Sequence, residues 1–276
     1  MKRRKGLLLL GDILGMIIAI VIFVIPFVYM FINSLKTEKE ANEFSFAFPE
    51  KLMWSNYVEV FRESNYILIT AFKNSILLTI FSVLGLVCVC SMAGYVLQRR
   101  QDKTTHMVNT LLMTGLIISP AVLPTIWVLK GLNIYRTLLG VVLVQIAGGI
   151  PYTTMLYRGF IASIPKELEE AGYIDGCSSK TMFVKIIFPL LKPITATVTI
   201  LNSVNYFNDF TTPLYFLPGK ENMTVQMTLY YFKGMYSTSY NLLFADSLVV
   251  TIPLLIAFIF LNRRIMDGMV AGSVKG

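Results

Sequence analysis

Long apolar runs separated by short polar segments set the pattern of this chain. About 20 mainly apolar residues suffice for one bilayer crossing. Six stretches qualify: Leu7 to Ile32, Ile67 to Leu97, Met107 to Leu129, Leu138 to Ile161, Pro189 to Phe207 and Leu242 to Leu261. The second is long enough to tilt or to extend past the membrane. Several are interrupted by Gly or Pro, among them Pro26, Gly85, Pro120, Pro124, Gly148, Pro151 and Pro253. Lipid-embedded helices tolerate such breaks where neighbours satisfy the freed backbone groups. The pattern predicts an all-α, polytopic transmembrane bundle of six spans, forming one domain over residues 1–276 with no internal repeat or low-complexity linker. The basic start Lys2-Arg3-Arg4-Lys5 precedes an apolar run too long for a signal peptide and without a small-residue cleavage site, so an uncleaved first span is expected.

Basic residues then choose the orientation. An even number of crossings puts both ends on one side. With the N-terminus inside, Lys2 to Lys5, Arg99, Arg100, Lys103, Arg158, Lys166, Lys180, Lys185, Lys192, Arg263, Arg264 and Lys275 are cytoplasmic. The outside holds Lys36, Lys39, Lys51, Arg62, Lys73, Lys130, Arg136, Lys220 and Lys233, offset by acids such as Glu38, Glu40 and Glu59. Both termini and the loop around Glu170 are therefore expected to face the cytoplasm. The largest outer stretch, Asn33 to Tyr66, carries Phe44, Phe46, Phe48, Trp54 and Tyr57 and reads as a folded cap or as aromatic anchoring at the headgroups. Asp12 and Asp246 sit near span ends, where solvation at the interface accounts for them.

Composition agrees: 55% of the 276 residues are hydrophobic and 14% charged, on the membrane side of the usual balance. The net charge of +8 is spread over loops and span ends rather than gathered on one face, which argues against a nucleic-acid partner and for membrane orientation. Cys88, Cys90 and Cys177 have neither disulfide-framework nor metal-site spacing, so packing is their expected role. His106 stands alone at a span edge, and the sequence holds no HExxH, GxSxG, P-loop or CxxC pattern. No catalysis and no bound cofactor is expected, and any ATP that drives transport would be bound by another polypeptide.

The charged segment from Pro165 to Cys177 interrupts this greasy chain. Helix formers from Lys166 to Ala171 lead to Gly172 and Gly176, and a second helical run from Ser178 is expected to stop against Pro189, giving helix, turn, helix. Glu167, Glu169 and Glu170 offer carboxylates to a basic cleft, while Gly172 and Gly176 permit close approach and a sharp turn. Glu170, Ala171, Gly172, Asp175, Gly176, Ile186 and Pro189 fall at the spacing of the EAA loop of the inner-membrane permeases of binding-protein-dependent ABC importers, and the segment 164–193 resembles that loop.

Further along, Asn202, Asn205, Asn208 and Asp209 recur at helical spacing beside Tyr206 and Phe207. Amides, a carboxylate and an aromatic ring suit a sugar pathway; hydrogen bonding to a partner permease is the alternative. The run Phe207-Asn-Asp-Phe210 with Pro213-Leu214 resembles a Trp-Asn-Asp-Phe-Leu-x-Pro-Leu pattern of carbohydrate-importer permeases, with Phe in place of the first Trp. The tail from Arg263 to Gly276 is similar to the Gly-x-x-x-Gly-Ala-Val-Lys-Gly ending of maltose-type permeases, and Asn33-Ser-Leu-Lys36 fits as well.

The resemblance implies a type I ABC importer permease most like the smaller maltose-type subunit, in the cell membrane of a prokaryote. It implies a heterodimer with a second permease, two ATPase subunits that bind ATP and Mg, an extracellular solute-binding protein, and a sugar or oligosaccharide as cargo. Glu170 would pair with an arginine of the ATPase, and Asp175 and Gly176 would shape the turn. Two rivals stay open at this point. A secondary transporter or channel would carry an intramembrane ionisable relay or a repeat, and neither is clear in the sequence; in a non-transporting scaffold the asparagine stripe would be incidental.

Overall fold

The computed structural model describes residues 2–118, 121–232 and 239–273, and among these every regular element is helical. Pro120, Lys233 and the final Val274-Lys275-Gly276 lie outside the described residues, as do the side chains of the basic N-terminal cluster and of Arg263 and Arg264. The chain divides into two compact units.

The first unit, Met1–Ile69 with Met227–Pro253, contains α1 (Lys2–Ser34), the short α2 (Glu38–Ala41), the start of α3 (Ser55–Arg99), most of α12 (Val225–Phe232) and the first part of α13 (Tyr240–Ser273). From Asp12 to Val28 every residue of α1 is exposed, as befits a helix whose solvent is lipid. Its end is tied down by a polar knot. Lys36 is only 1% exposed, and its ammonium donates to Asn33 Oδ1 (3.0 Å), to the Ser45 carbonyl (2.7 Å) and to Ser45 Oγ (3.1 Å). Asn56 Nδ2 donates to the carbonyls of Ser34 and Lys36, both at 2.8 Å. A lysine counted among the outer cations is thus an internal fastener.

The following segment is folded. Thr37 and Glu40 form a capping box on α2, and Glu40 lies below its ordinary pKa because the backbone N–H groups of Glu50 and Thr37 donate to it. Phe46, Phe48 and Trp54 remain exposed. Asp246 corrects an expectation: it is fully buried rather than solvated at an interface, and its Oδ2 accepts from Thr228 Oγ1 at 2.8 Å. Its position on α13, facing α12 rather than lipid, makes a buried carboxyl tolerable.

The second unit, Thr70–Gln226 with Leu254–Gly276, holds most of α3, then α4 (Lys103–Ile117), α5 (Val122–Gly131), α6 (Leu138–Ala162), α7 (Glu167–Ile174), a helical run from Ser179 to Leu190, α10 (Lys192–Phe207) and α11 (Thr211–Phe216). That run comprises α8 (Ser179–Thr181), a π-helical turn (Met182–Ile187) and α9 (Phe188–Leu190). A core of Leu86, Cys90, Tyr157, Ile161, Met182, Ile187, Leu191 and Val198 joins α3, α6, the π turn and α10. Large side chains and one small thiol interlock there, and between membrane helices such contacts are held by close packing rather than by removal of apolar surface from water.

Among the described residues, Asp12–Ser34, Tyr66–Arg99 and Leu138–Ala162 are single helices long and apolar enough to cross a bilayer. Ser179–Leu190 with Lys192–Phe207 makes a fourth candidate, bent by 72°. Two of the six anticipated spans are therefore not simple rods. Met107 to Leu129 is split between α4 and α5, with Ile118 and Ala121 in extended conformations at the two sides of the break. The fifth turns sharply at Leu191, and the sixth falls within α13.

Candidate functional site

The helical hairpin that begins at α7 is built by local chemistry. Glu167, Glu169 and Glu170 occupy the first turn of α7, where carboxylates favour the positive end of the helix dipole. At the other end Cys177 N–H donates to the Gly172 carbonyl (2.9 Å) and Gly176 N–H to that of Tyr173 (3.0 Å), with Gly176 at φ +81°. These are the paired bonds of a Schellman stop, and glycine adopts the required left-handed conformation without a Cβ penalty. Ser178 restarts the chain as the N-cap of α8, its Oγ accepting from Thr181 N–H.

Gly172 allows the two arms to touch. A Cβ there would lie 2.5 Å from Met182 Cε and 3.0 Å from Ile186 Cδ1. Pro189 acts differently from expectation, since the second arm does not stop against it. The chain widens into the π turn at Met182–Ile187 and continues to Leu190. Pro189 thus falls in the first turn of α9, just after the π turn, where its missing N–H is tolerated.

The acidic residues of α7 part company. Glu169 is 8% exposed and faces inward: Arg99 Nε donates to its Oε1 at 2.6 Å and Tyr95 Oη to its Oε2 at 2.8 Å. Arg99 also donates through Nη2 to the Ile164 carbonyl (2.9 Å). Glu169 therefore fastens α7 to the end of α3 and is not free to meet another protein, which corrects the grouping of all three acids as outward carboxylates. Glu167, Glu170, Ala171 and Asp175 are exposed, together with Leu168, Tyr173 and Ile174, the last 86% exposed. The outer face of the hairpin is thus mixed acidic and apolar on a helix whose inner face is pinned.

The asparagine stripe on α10 divides into two faces. Asn202 and Tyr206 are buried; Asn202 donates to the Val198 carbonyl of its own helix (2.9 Å), and Tyr206 Oη donates to the Gln145 carbonyl on α6 (2.9 Å). Asp209 accepts from Gln145 Nε2 (3.2 Å) and caps α11 through Thr212 N–H (3.0 Å). Asn205 and Asn208 are exposed on the other side, with Asn208 accepting from Gln226 Nε2 at 2.8 Å. Gln145, whose Oε1 accepts from Ser82 Oγ at 2.7 Å, joins these groups and escaped the sequence reading. Its signal was there: a lone amide within the apolar run from Leu138 to Ile150 needs partners in lipid. Tyr95 and Arg99 left no comparable signal, because an arginine at a span end is ordinary.

The family described as "Binding-protein-dependent transport system inner membrane component" matches residues 88–269 of this chain. The melibiose/raffinose/stachyose import permease protein MelC of Bacillus subtilis is 35% identical over 189 residues, covering 67% of this chain and 68% of that protein. The multiple sugar-binding transport system permease protein MsmG of Streptococcus mutans is 33% identical over 189 residues, covering 66% and 68% of the two chains. Among solved structures, a bacterial ABC transporter involved in the import of the acidic polysaccharide alginate shares the fold with a TM-score of 0.80 at 18% identity, over 95% of this chain and 97% of that one. The match covers the hairpin, its anchor on α3 and the polar residues of α10, and this chain belongs to the family of binding-protein-dependent transport system inner membrane components.

Proposed function

We propose that this chain is a permease subunit of an ATP-driven importer, forming half the translocation pathway for a sugar or oligosaccharide delivered by an extracellular solute-binding protein. The observation that carries this reading is the hairpin: Glu170 and Ile174 are presented outward on a helix that Glu169 and Arg99 hold to the span behind it. A lever must be both graspable and rigidly attached. A cleft with an arginine and apolar walls on an ATPase would take the carboxylate by a charge-assisted bond and bury the isoleucine.

The whole chain is then one membrane domain in the cell membrane of a prokaryote, with both termini and the hairpin in the cytoplasm. ATP and Mg are bound by two partner ATPase subunits, and a second, related permease completes the pathway. Docking of the loaded binding protein and closure of the ATPases draw the hairpins together and turn the spans outward; hydrolysis resets them. A carbohydrate cargo is favoured by the sugar-transport relatives MelC and MsmG, and Asn205 on α10 and Asn208 at its C-terminal cap are the exposed amides that would meet it, Asn208 by exchanging its bond to Gln226.

Co-expression with a candidate ATPase and a candidate second permease tests the reading. The ATPase should copurify with the wild-type subunit. Glu170→Ala and Ile174→Ser should release the ATPase while retaining the second permease. Equal ATPase recovery with both variants would contradict a docking role for this face.

A further inference from the structure

Two adjoining cavities lie in the second unit where the end of α3, the start of α4 and the last turns of α6 meet. The first, of about 570 Å³, is polar and basic: Arg100, Lys103, His106 and Arg158 line it, with Asn109 beside them. Its volume falls within the range of ordinary small-ligand sites. The second, of about 610 Å³, is a groove walled by Met92, Val96, Val108, Leu112 and Ile150. The two share Leu97, Arg100, Asp102 and Thr105, so the basic chamber adjoins the apolar one.

The charges are available. Asp102 is the acid in this lining, and its Oδ1 is already occupied by capping α4, accepting from Thr105 N–H at 2.7 Å. Arg158 donates through Nη1 to Asn109 Oδ1, yet its Nε is buried without a hydrogen-bond partner. A guanidinium carries five N–H donors, so Arg158 can hold Asn109 through Nη1 and still present others to an anion in the chamber that it lines. Arg100, directly after the end of α3, lines the same chamber, so two planar guanidinium groups border it, the residue type suited to phosphate.

We propose that these adjoining cavities hold an anionic phospholipid, its phosphate between Arg100 and Arg158 and an acyl chain along the groove of Met92, Val96, Val108 and Leu112. A soluble phosphate would use the basic chamber but not the apolar groove that adjoins it. A neutral lipid would use the groove and leave the cations unanswered. Basic pockets at the ends of membrane helices select anionic headgroups on this ground. The site also touches the lever: Arg100 follows Arg99, which grips Glu169 of α7. A lipid seated on Arg100 would therefore steady the end of α3 to which the hairpin is fastened.

The test uses the full chain, purified with the subunits that accompany it and exposed to phosphatidylglycerol and phosphatidylcholine, with retained lipid counted by native mass spectrometry. Wild type should retain phosphatidylglycerol in preference to phosphatidylcholine. Arg100→Gln combined with Arg158→Gln should lower that retention about tenfold, the scale of basic-residue attraction to anionic headgroups. The corresponding double Lys variant should largely restore it. Ala93→Phe, which narrows the groove and leaves the charges, should also weaken retention. Arg100→Gln alone alters an exposed side chain, so it gives a reading even if Arg158 variants fold poorly. Unchanged retention in Arg100→Gln and Ala93→Phe would overturn the proposal, as would equal retention of the two lipids. Displacement of the lipid by inorganic phosphate or glycerol phosphate would reassign the chamber to a soluble anion.

Discussion

Arg99 Nε and Glu169 Oε1 lie 2.6 Å apart, joining the last turn of α3 to the inner face of α7 across 70 residues of sequence. Both side chains are largely shielded from water, and Tyr95 Oη and the Ile164 carbonyl complete their hydrogen bonding. The arrangement makes α7 an extension of a membrane helix rather than a loose loop. Its outer residues then move only when α3 moves, which is what a mechanical coupling element requires.

Breaking this pair from one side leaves the other charge shielded and uncompensated, a loss of about 3 kcal/mol. Glu169→Ala and Arg99→Ala should each lower thermal stability in detergent by about that amount and expose the hairpin to limited proteolysis. Arg99→Lys keeps the charge but not the fork to Ile164 and should cost about 1 kcal/mol. A double-mutant cycle reads the coupling directly. Additive losses would show that the two residues do not act together.

Gly176 is the stop on which the hairpin turns. Gly176→Val forces a β-branched residue to φ +81° and should cost about 1–3 kcal/mol locally. Protein level and membrane insertion should be preserved, while ATPase recruitment falls because Glu170 and Ile174 are no longer presented together. Normal recruitment by this variant would mean that the turn does not set the docking face.

Much of this was legible in the sequence, and the residues show why the rest was not. The helix, turn, helix of α7 to α9 follows from Gly176 and the Ser178 cap, both of which act locally. The π turn ahead of Pro189 did not announce itself, because Pro26, Pro151 and Pro253 sit within α-helices of the same chain and proline alone does not say where a helix changes. Glu169 and Glu170 are adjacent and chemically identical, so their opposite destinations depend on Arg99, a partner distant in sequence. The same holds for Asn202 and Asn205: three-residue spacing puts them near one another, but which lies against α6 is decided by the packing of Tyr206 on Gln145. Lys36 reads as an outer cation and Asp246 as an interfacial acid, because burial of the first needs the segment to Ser45 to fold back on it and that of the second needs Thr228, 18 residues away.

The two faces of α10 should respond differently to mutation. Asn205→Leu should impair uptake with little loss of stability, about 1 kcal/mol for each lost substrate contact, and unequally between sugars, whereas Asn208→Leu should impair uptake and also lose the bond to Gln226. Tyr206→Phe removes the bond to the Gln145 carbonyl and should instead lower stability by about 1 kcal/mol for every substrate alike. Uptake assays paired with melting curves separate the outcomes. Normal transport of each accepted sugar by both asparagine variants would remove this face from the pathway.

Orientation has its own check. A cysteine replacing Ser178 should react with an impermeant thiol reagent only from the cytoplasmic side, and one replacing Glu221 only from outside. Both positions are exposed, so silence would not arise from burial. Labelling of position 178 in intact cells would reverse the assigned topology.

Reconstituted transport tests the central claim most directly. The subunit, its partner permease and the ATPases are placed in proteoliposomes with the binding protein outside and ATP within, and radiolabelled sugar uptake is measured for wild type and Glu170→Ala. Uptake that requires ATP, the loaded binding protein and Glu170 together is the predicted result. Sugar accumulation by this chain without ATPase or ATP, or ATP-driven uptake undiminished by Glu170→Ala, would contradict the account.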